Sequence, residues 1–315
     1  MEPELRRRPA RPNNTGLIAG TALLLLLAFI LLLGLFFVLS SFSSSLVGKC
    51  VAVVDVNMPI TIEGSPPSVF GGSGYVGSEE LAFIVDDLGR RDDVGAVLFV
   101  FNSPGGSVVA TREVYDSVKA LDKPSVSYFR EVAASGAYYI ASGTDYIVSD
   151  PDALTGSIGV IATFTDLQGL LEKIGVNVTA IKSGPHKDIG SPYRNMTDNE
   201  TMILQALIDE VYEEFKSIVL ENRGKKLDRS KFDQITDGRI LSGRQAYKVG
   251  LVDQLGTKKD AIMKAAELAG IEADSADDIR LCPVSTAVTD SSLFGLDSLI
   301  GGLVARQYGA SLEFK

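Results

Sequence analysis

The chain has 315 residues, a net charge of −10 and an isoelectric point near 4.8, with one histidine, two cysteines and no tryptophan. The acidic balance excludes a general binding surface for nucleic acid or anionic headgroups, which it repels. No His/Cys spacing of the zinc-binding kind occurs, and the length suits one large domain or two small ones.

The chain opens on a polar tail carrying Arg6, Arg7, Arg8 and Arg11. No charged residue follows until Lys49, and Leu17 to Leu39 is almost wholly apolar. As a helix that stretch would extend roughly 35 Å at about 1.5 Å per residue, against a bilayer core of about 30 Å. It exceeds the apolar region of a cleaved signal peptide, typically about 7–15 residues, although the small polar run Ser40–Ser45 is compatible with cleavage. Residues 1–16 are therefore expected as a cytoplasmic basic tail and 17–40 as a single transmembrane helix. The arginines hold the N-terminus inside, so everything beyond the span is expected outside the cytoplasm, at the cell membrane. Of the acids only Glu2 and Glu4 precede Lys49, so the body is acidic. Cys50 and Cys282 fit either a bridge or two separate buried thiols, since pairing needs Cα atoms within about 7 Å.

Val51 to Ile62 reads as a strand and Glu63 to Gly77, rich in Gly, Pro and Ser, as a loop. Leu81, Ile84, Val85 and Leu88 share one helical face of Glu79 to Leu88. Val94 to Phe101 is a near-continuous apolar run, the mark of a strand buried on both faces. A helix over Val108 to Leu121 follows, stopped before Pro124. The reading continues with a strand Val126–Phe129, a small-residue helix Ala134–Ser142, and strands Tyr146–Val148 and Ile158–Phe164. A helix Leu167–Ile174 and a strand Val176–Ile181 come next. Alternation of this kind predicts a parallel sheet covered by helices. Helical character then dominates: Asp198–Glu221 with Thr197 as N-cap and Glu200 completing a capping box, Ser242–Val249 and Lys258–Leu268. Beyond Ala273 the chain turns polar, apart from Leu293–Val304, too short to span a membrane. Asn177, Asn195 and Asn199 each begin an Asn-x-Thr sequon. The Gly-rich stretch 71–77 lacks the ending of a phosphate loop.

Three motifs carry chemistry. Ala133-Ala-Ser-Gly-Ala-Tyr-Tyr139 puts Ser135 among small residues at the opening of a helix, where unpaired N–H groups gather. Asn102-Ser-Pro-Gly-Gly106 ends the most buried strand in two glycines able to offer backbone donors. Lys187-Asp-Ile-Gly-Ser-Pro192 supplies a lysine in a Gly/Pro-rich loop. These are the parts of a Ser–Lys acyl-transfer site: nucleophile, oxyanion donors and base. A lysine base must be neutral, which burial favours because the charged form loses hydration; a hydroxyl from Ser157 or Thr155 would hold it. Lys182 is a rival base, and His186 is the single candidate for a histidine-based triad.

With LTGSIGV at 154–160, IKSGPHKDIGSP at 181–192 and DGRILSGRQAYKVGLVDQLG at 237–256 in the same order, the chain resembles SppA-type signal peptide peptidases over roughly Val51 to Gly270. It is similar to the short, single-unit members. The resemblance implies a crotonase/Clp-protease-like α/β fold over residues 49–272 with a helical C-terminal portion. It implies Ser135 as nucleophile, Lys187 as general base and Ser157 as the hydroxyl orienting the lysine. Gly106 and Gly136 would form the oxyanion hole. The implied activity is membrane-anchored serine endopeptidase cleavage of remnant signal peptides, in a groove walled by Ile158–Phe164, with no cofactor and no metal. The implied assembly is a homo-oligomeric ring in which neighbouring subunits share each site. Nothing transfers to 273–315, a tail of unknown role. Rival readings are a related Ser–Lys protease cutting membrane-protein tails and a crotonase-fold acyl-CoA enzyme.

Overall fold

The computed structural model describes residues 26, 29–34, 48–57, 59–65, 74–282, 284 and 313–314 of two compact units, 1–48 and 49–315. In the first unit residues 26 and 29–34 are helical, and among the described residues no helix is long and apolar enough to cross a membrane. The basic tail 1–16, most of the predicted transmembrane helix 17–40 and the apolar segment 293–304 lie outside the described residues.

The second unit is α/β. Its elements are β1 Cys50–Asn57, α1 Ser78–Arg90, β2 Val94–Ser103, β3 Gly106–Ser107, α2 Val108–Lys119, β4 Ser125–Ala134 and α3 Gly136–Ser142. Then come β5 Tyr146–Ser149, β6 Leu154–Gly156, α4 Gln168–Lys173, α5 Asp198–Arg223, α6 Arg229–Ile235 and β7 Ile240–Ser242. The last are α7 Gly243–Val249, β8 Gln254–Leu255, α8 Lys258–Leu268, β9 Leu281–Cys282 and β10 Glu313–Phe314. The main sheet runs β7-β6-β4-β2-β1-β9, with β5 joining β4 to β8. All of its pairings are parallel except β6–β7. This parallel-rich α/β body fits the Clp-protease-like architecture that the motifs imply.

The period-2 alternation of β2 divides the core between the two faces of the sheet. Val97, Phe99 and Phe101 pack with Phe129, Tyr138 and Phe215 on one face. Leu98 and Val100 pack with Ala261, Ile262 and Ala265 of α8 on the other. Each fully buried Phe or Leu side chain contributes roughly 1.5–3 kcal/mol. Cys50 and Cys282 are disulfide-bonded, Cα atoms 5.4 Å apart, fastening β9 to β1 across a sequence separation of 232. Closing so long a loop stabilises by about 5 kcal/mol in the chain-entropy picture. Thr197 and Glu200 form the expected capping box at the start of α5.

Two predicted strands are absent. Ile158–Phe164 has only an isolated bridge at Ile161, because the strand beside β4 is the shorter β6, whose outer edge β7 already covers. Val176–Ile181 carries a β-branched alternation but finds no sheet edge, and Val176, Val178 and Ile181 stay exposed. Strand β4 runs past Phe129 to Ala134, since Val132–Ala134 pair with β6.

Candidate active site

The turn from β4 into α3 is strained. Ser135 has φ 56° and ψ −121°, a conformation rare for any residue but glycine. It is fully buried, and its Oγ has no hydrogen-bond partner. A polar side chain held buried and unsatisfied at a strained backbone points to function rather than packing. The surrounding register holds it there. Ala134 pairs with Gly156 in β6, and Ser135 N–H donates to the Gly156 carbonyl at 2.9 Å. On the other side Tyr139 N–H donates to the Ser135 carbonyl at 2.9 Å. Tyr138 and Tyr139 root α3 in the core, where burial pushes the Tyr139 phenol up to about 12.

The two glycines of Asn102–Gly106 serve different ends. Gly105 takes φ 104°, which needs a glycine. Gly106 has no such φ but no room for a side chain: an added Cβ would lie 1.9 Å from the Ile60 carbonyl oxygen. A Cβ on Gly136 would lie 3.3 Å from Gly106 N and 2.4 Å from Thr111 Oγ1. The Gly106 N–H and the start of α3 are therefore neighbours. The first N–H groups of a helix have no partner within it, so Gly136 brings a second donor to the same place. The pair matches the need of an oxyanion.

Ser157 is the second non-glycine residue with positive φ, 49°. It is buried one residue past β6, and its N–H donates to the Arg239 carbonyl at 2.8 Å. Thr155, the alternative hydroxyl, is committed to the Ala133 carbonyl at 2.7 Å. Ser135, Gly136, Gly106 and Ser157 thus gather at the ends of β4, β3 and β6. Beyond Ser157, a cleft of about 410 Å³ is lined by Gly159, Val160, Ile161, Tyr212 and Gly238.

Lys187 is exposed and is no hydrogen-bond partner of Ser135 Oγ within the single chain. Its loop is nonetheless tightly held. Arg194 binds Asp188 and, at 2.6 Å, the buried Glu200 at the head of α5. The Arg194 guanidinium, then Thr197, lowers the Glu200 carboxyl to about 2; Arg194 and then Lys182 hold Asp188 well below the usual range. Lys182 is engaged by Asp188 and the Pro185 carbonyl rather than by Ser135 or Ser157. His186 lies against Asn199 and Glu200. The motifs gave no sign of Thr111, whose buried Oγ1 is without a partner behind Gly136.

The family description Peptidase family S49 matches residues 117–272, which include Ser135, Gly136, Ser157 and Lys187. A candidate protease of Methanocaldococcus jannaschii is 44% identical over 190 residues, 60% of this chain and 60% of the relative. One of Synechocystis is 45% identical over 181 residues, 57% and 65% of the two chains. An Enterococcus faecium protein named as a candidate signal peptide peptidase SppA is 39% identical over 172 residues, 54% and 49%. The chain thus spans between about half and two thirds of the length of these relatives.

Proposed function

The chain belongs to peptidase family S49, and from that premise we propose that it is a serine endopeptidase in which Ser135 and Lys187 form the catalytic dyad. Ser135 Oγ attacks the scissile carbonyl carbon while the neutral Lys187 amine takes its proton. The N–H groups of Gly106 and Gly136 stabilise the tetrahedral oxyanion. The protonated amine gives its proton to the leaving nitrogen as the C–N bond breaks. Water then resolves the acyl-enzyme with the same lysine as base. Ser157 orients the amine. The observation that carries this reading is the buried, unpartnered Ser135 hydroxyl at a strained turn beside Gly106 and Gly136.

The body works as a ring, with the lysine of one subunit completing the serine of the next. The exposure of Lys187 supports this, as do the exposed apolar residues Leu170, Ile174, Val178 and Ile181 on the same arm and the absence of any buried residue in α4. Substrates are remnant signal peptides, bound extended at a body held outside the cytoplasm by a helix over 17–40. The Cys50–Cys282 bridge supports that compartment, since disulfides persist where the environment oxidises.

Hydrolysis of a quenched-fluorescent signal-peptide reporter by the full chain tests the dyad. Ser135→Ala and Lys187→Ala should each remove nearly all activity, because residues acting as a unit lose nearly everything singly, and the rate should rise from neutral to alkaline pH. Activity surviving Lys187→Ala but lost in Lys182→Ala or His186→Ala would reassign the base.

A further inference from the structure

We propose that the Thr111 hydroxyl is a third donor to the oxyanion, beside the N–H groups of Gly106 and Gly136, an inference resting on the assignment of Ser135 as nucleophile. Thr111 lies on α2 and is fully buried, yet its Oγ1 has no hydrogen-bond partner among the described residues. A threonine inside a helix ordinarily turns its hydroxyl back to the carbonyl three or four residues earlier; this one does not. Ser135 Oγ is likewise buried and unpartnered. Leaving a buried hydroxyl unsatisfied is costly, and here two of them flank one residue, Gly136.

Cα–Cβ bonds of a helix lean toward its N-terminus, which for α3 is the end that follows Ser135. A group standing where the Gly136 Cβ would be is therefore on the Ser135 side. Thr111 Oγ1 is 2.4 Å from that position, and Gly106 N is 3.3 Å from the same position. The hydroxyl and the two backbone donors thus surround one point beside the nucleophile. Packing holds the hydroxyl there. One turn along α2 the Tyr115 ring meets Tyr139 of α3 edge-on, centroids 5.0 Å apart, and Ser107, directly after Gly106, caps the start of α2. A donor that is fixed, shielded from solvent and without a partner needs no reorganisation when negative charge develops on the scissile carbonyl oxygen. The hydroxyl keeps its proton throughout, so Lys187 remains the base.

The test compares Thr111→Val and Thr111→Ser in the full chain in detergent, with Ser135→Ala alongside. Valine keeps the shape and removes the donor. Thr111→Val should lower kcat for the signal-peptide reporter about 10–10²-fold, the range for one hydrogen bond to a charged acceptor. Its KM should change by less than about twofold, and Thr111→Ser should keep kcat within about threefold of the parent. A peptide aldehyde, whose adduct with Ser135 holds the carbonyl oxygen in tetrahedral geometry, should bind Thr111→Val more weakly by the same factor as kcat/KM falls. The Tm of Thr111→Val should not fall, because an unpaired hydroxyl gives the fold nothing that valine lacks. A Tm lower by several degrees would reveal a partner within the fold and overturn the proposal, as would a kcat within about threefold of the parent. Should the parent neither hydrolyse the reporter nor bind the aldehyde, or should Ser135→Ala match it, the serine assignment fails and Thr111 falls with it. Activity lost in Ser135→Ala but unchanged in Thr111→Val rejects Thr111 alone.

Discussion

Gly106→Ala isolates the oxyanion contribution of β3. The new Cβ would lie 1.9 Å from the Ile60 oxygen and 2.6 Å from both the carbon and the nitrogen of Ile60, where ordinary contact begins at 3.4 Å. The obstacle is backbone, itself hydrogen-bonded to Gly105 and Ser107, so no rotamer relieves it. Strand β3 must retreat on the order of 1 Å, and a 1 Å misplacement can cost about 10²-fold in rate. Removing one oxyanion donor costs about 10²–10³ in kcat. The expected result is therefore a fall in kcat of about 10²–10³-fold, together with about 1–3 kcal/mol of lost stability from overpacking. Reporter hydrolysis is measured per folded molecule, the folded fraction coming from circular dichroism. Gly89→Ala is the control, because an added Cβ there makes only an ordinary contact, 3.5 Å from Leu121 Cδ2. A folded Gly106→Ala protein with kcat within about threefold of the parent would refute the role given to Gly106.

Two further outcomes follow from the charged groups. Arg223 is buried, with Nη1 2.7 Å from Asp253 Oδ2 and Nη2 donating to the Gly250 carbonyl. Arg223→Met should cost about 3 kcal/mol, the lower end for breaking a buried pair because Lys226 still reaches Asp253; that lowers Tm by about 6–12 °C. Arg223→Met with Asp253→Leu should recover much of the loss, and a single-variant fall below about 2 °C would contradict the assignment. Glu200, lowered from its ordinary 4.5 to about 2, contributes stability that is fully present above the higher value and is lost as pH falls toward the lower. The urea midpoint should decline across that window in the parent and less steeply in Arg194→Leu; identical slopes would remove the Arg194 contribution.

The α/β alternation was legible because burial writes its own period. β2 is apolar at nearly every position and buried on both faces, while α1 turns Leu81, Val85 and Leu88 inward at helical spacing. The Ser135 turn stood out through the small residues around its serine, and the structure makes that turn strained, with the hydroxyl buried and without a partner. The two false strands arose because Val, Ile and Thr alternation is local, whereas pairing depends on a free edge, and β7 occupies the edge of β6. Gly106 was read as a flexible donor, but its need is clearance from Ile60, a residue far away in sequence.

The strain at the site also gives β6 a task beyond carrying Ser157. Ser135 and Ser157 both hold positive φ, each at a cost of order 1–3 kcal/mol, and such geometry persists only where the surroundings over-determine it. β6 and the residue after it supply that determination. Gly156 accepts from Ser135 N–H, Thr155 Oγ1 donates to the Ala133 carbonyl, and Ser157 N–H is tied to Arg239 beside β7. These bonds bracket Ser135 from one side, while its carbonyl is fixed by Tyr139 N–H from the other. Tyr138 in turn donates to the Leu251 carbonyl, next to the Gly250 carbonyl that Arg223 binds. The geometry of Ser135, the proposed nucleophile, is thus set by a short strand held between β4 and β7 and by a buried ion pair remote from it. A loosening at either should reach kcat before it unfolds the sheet.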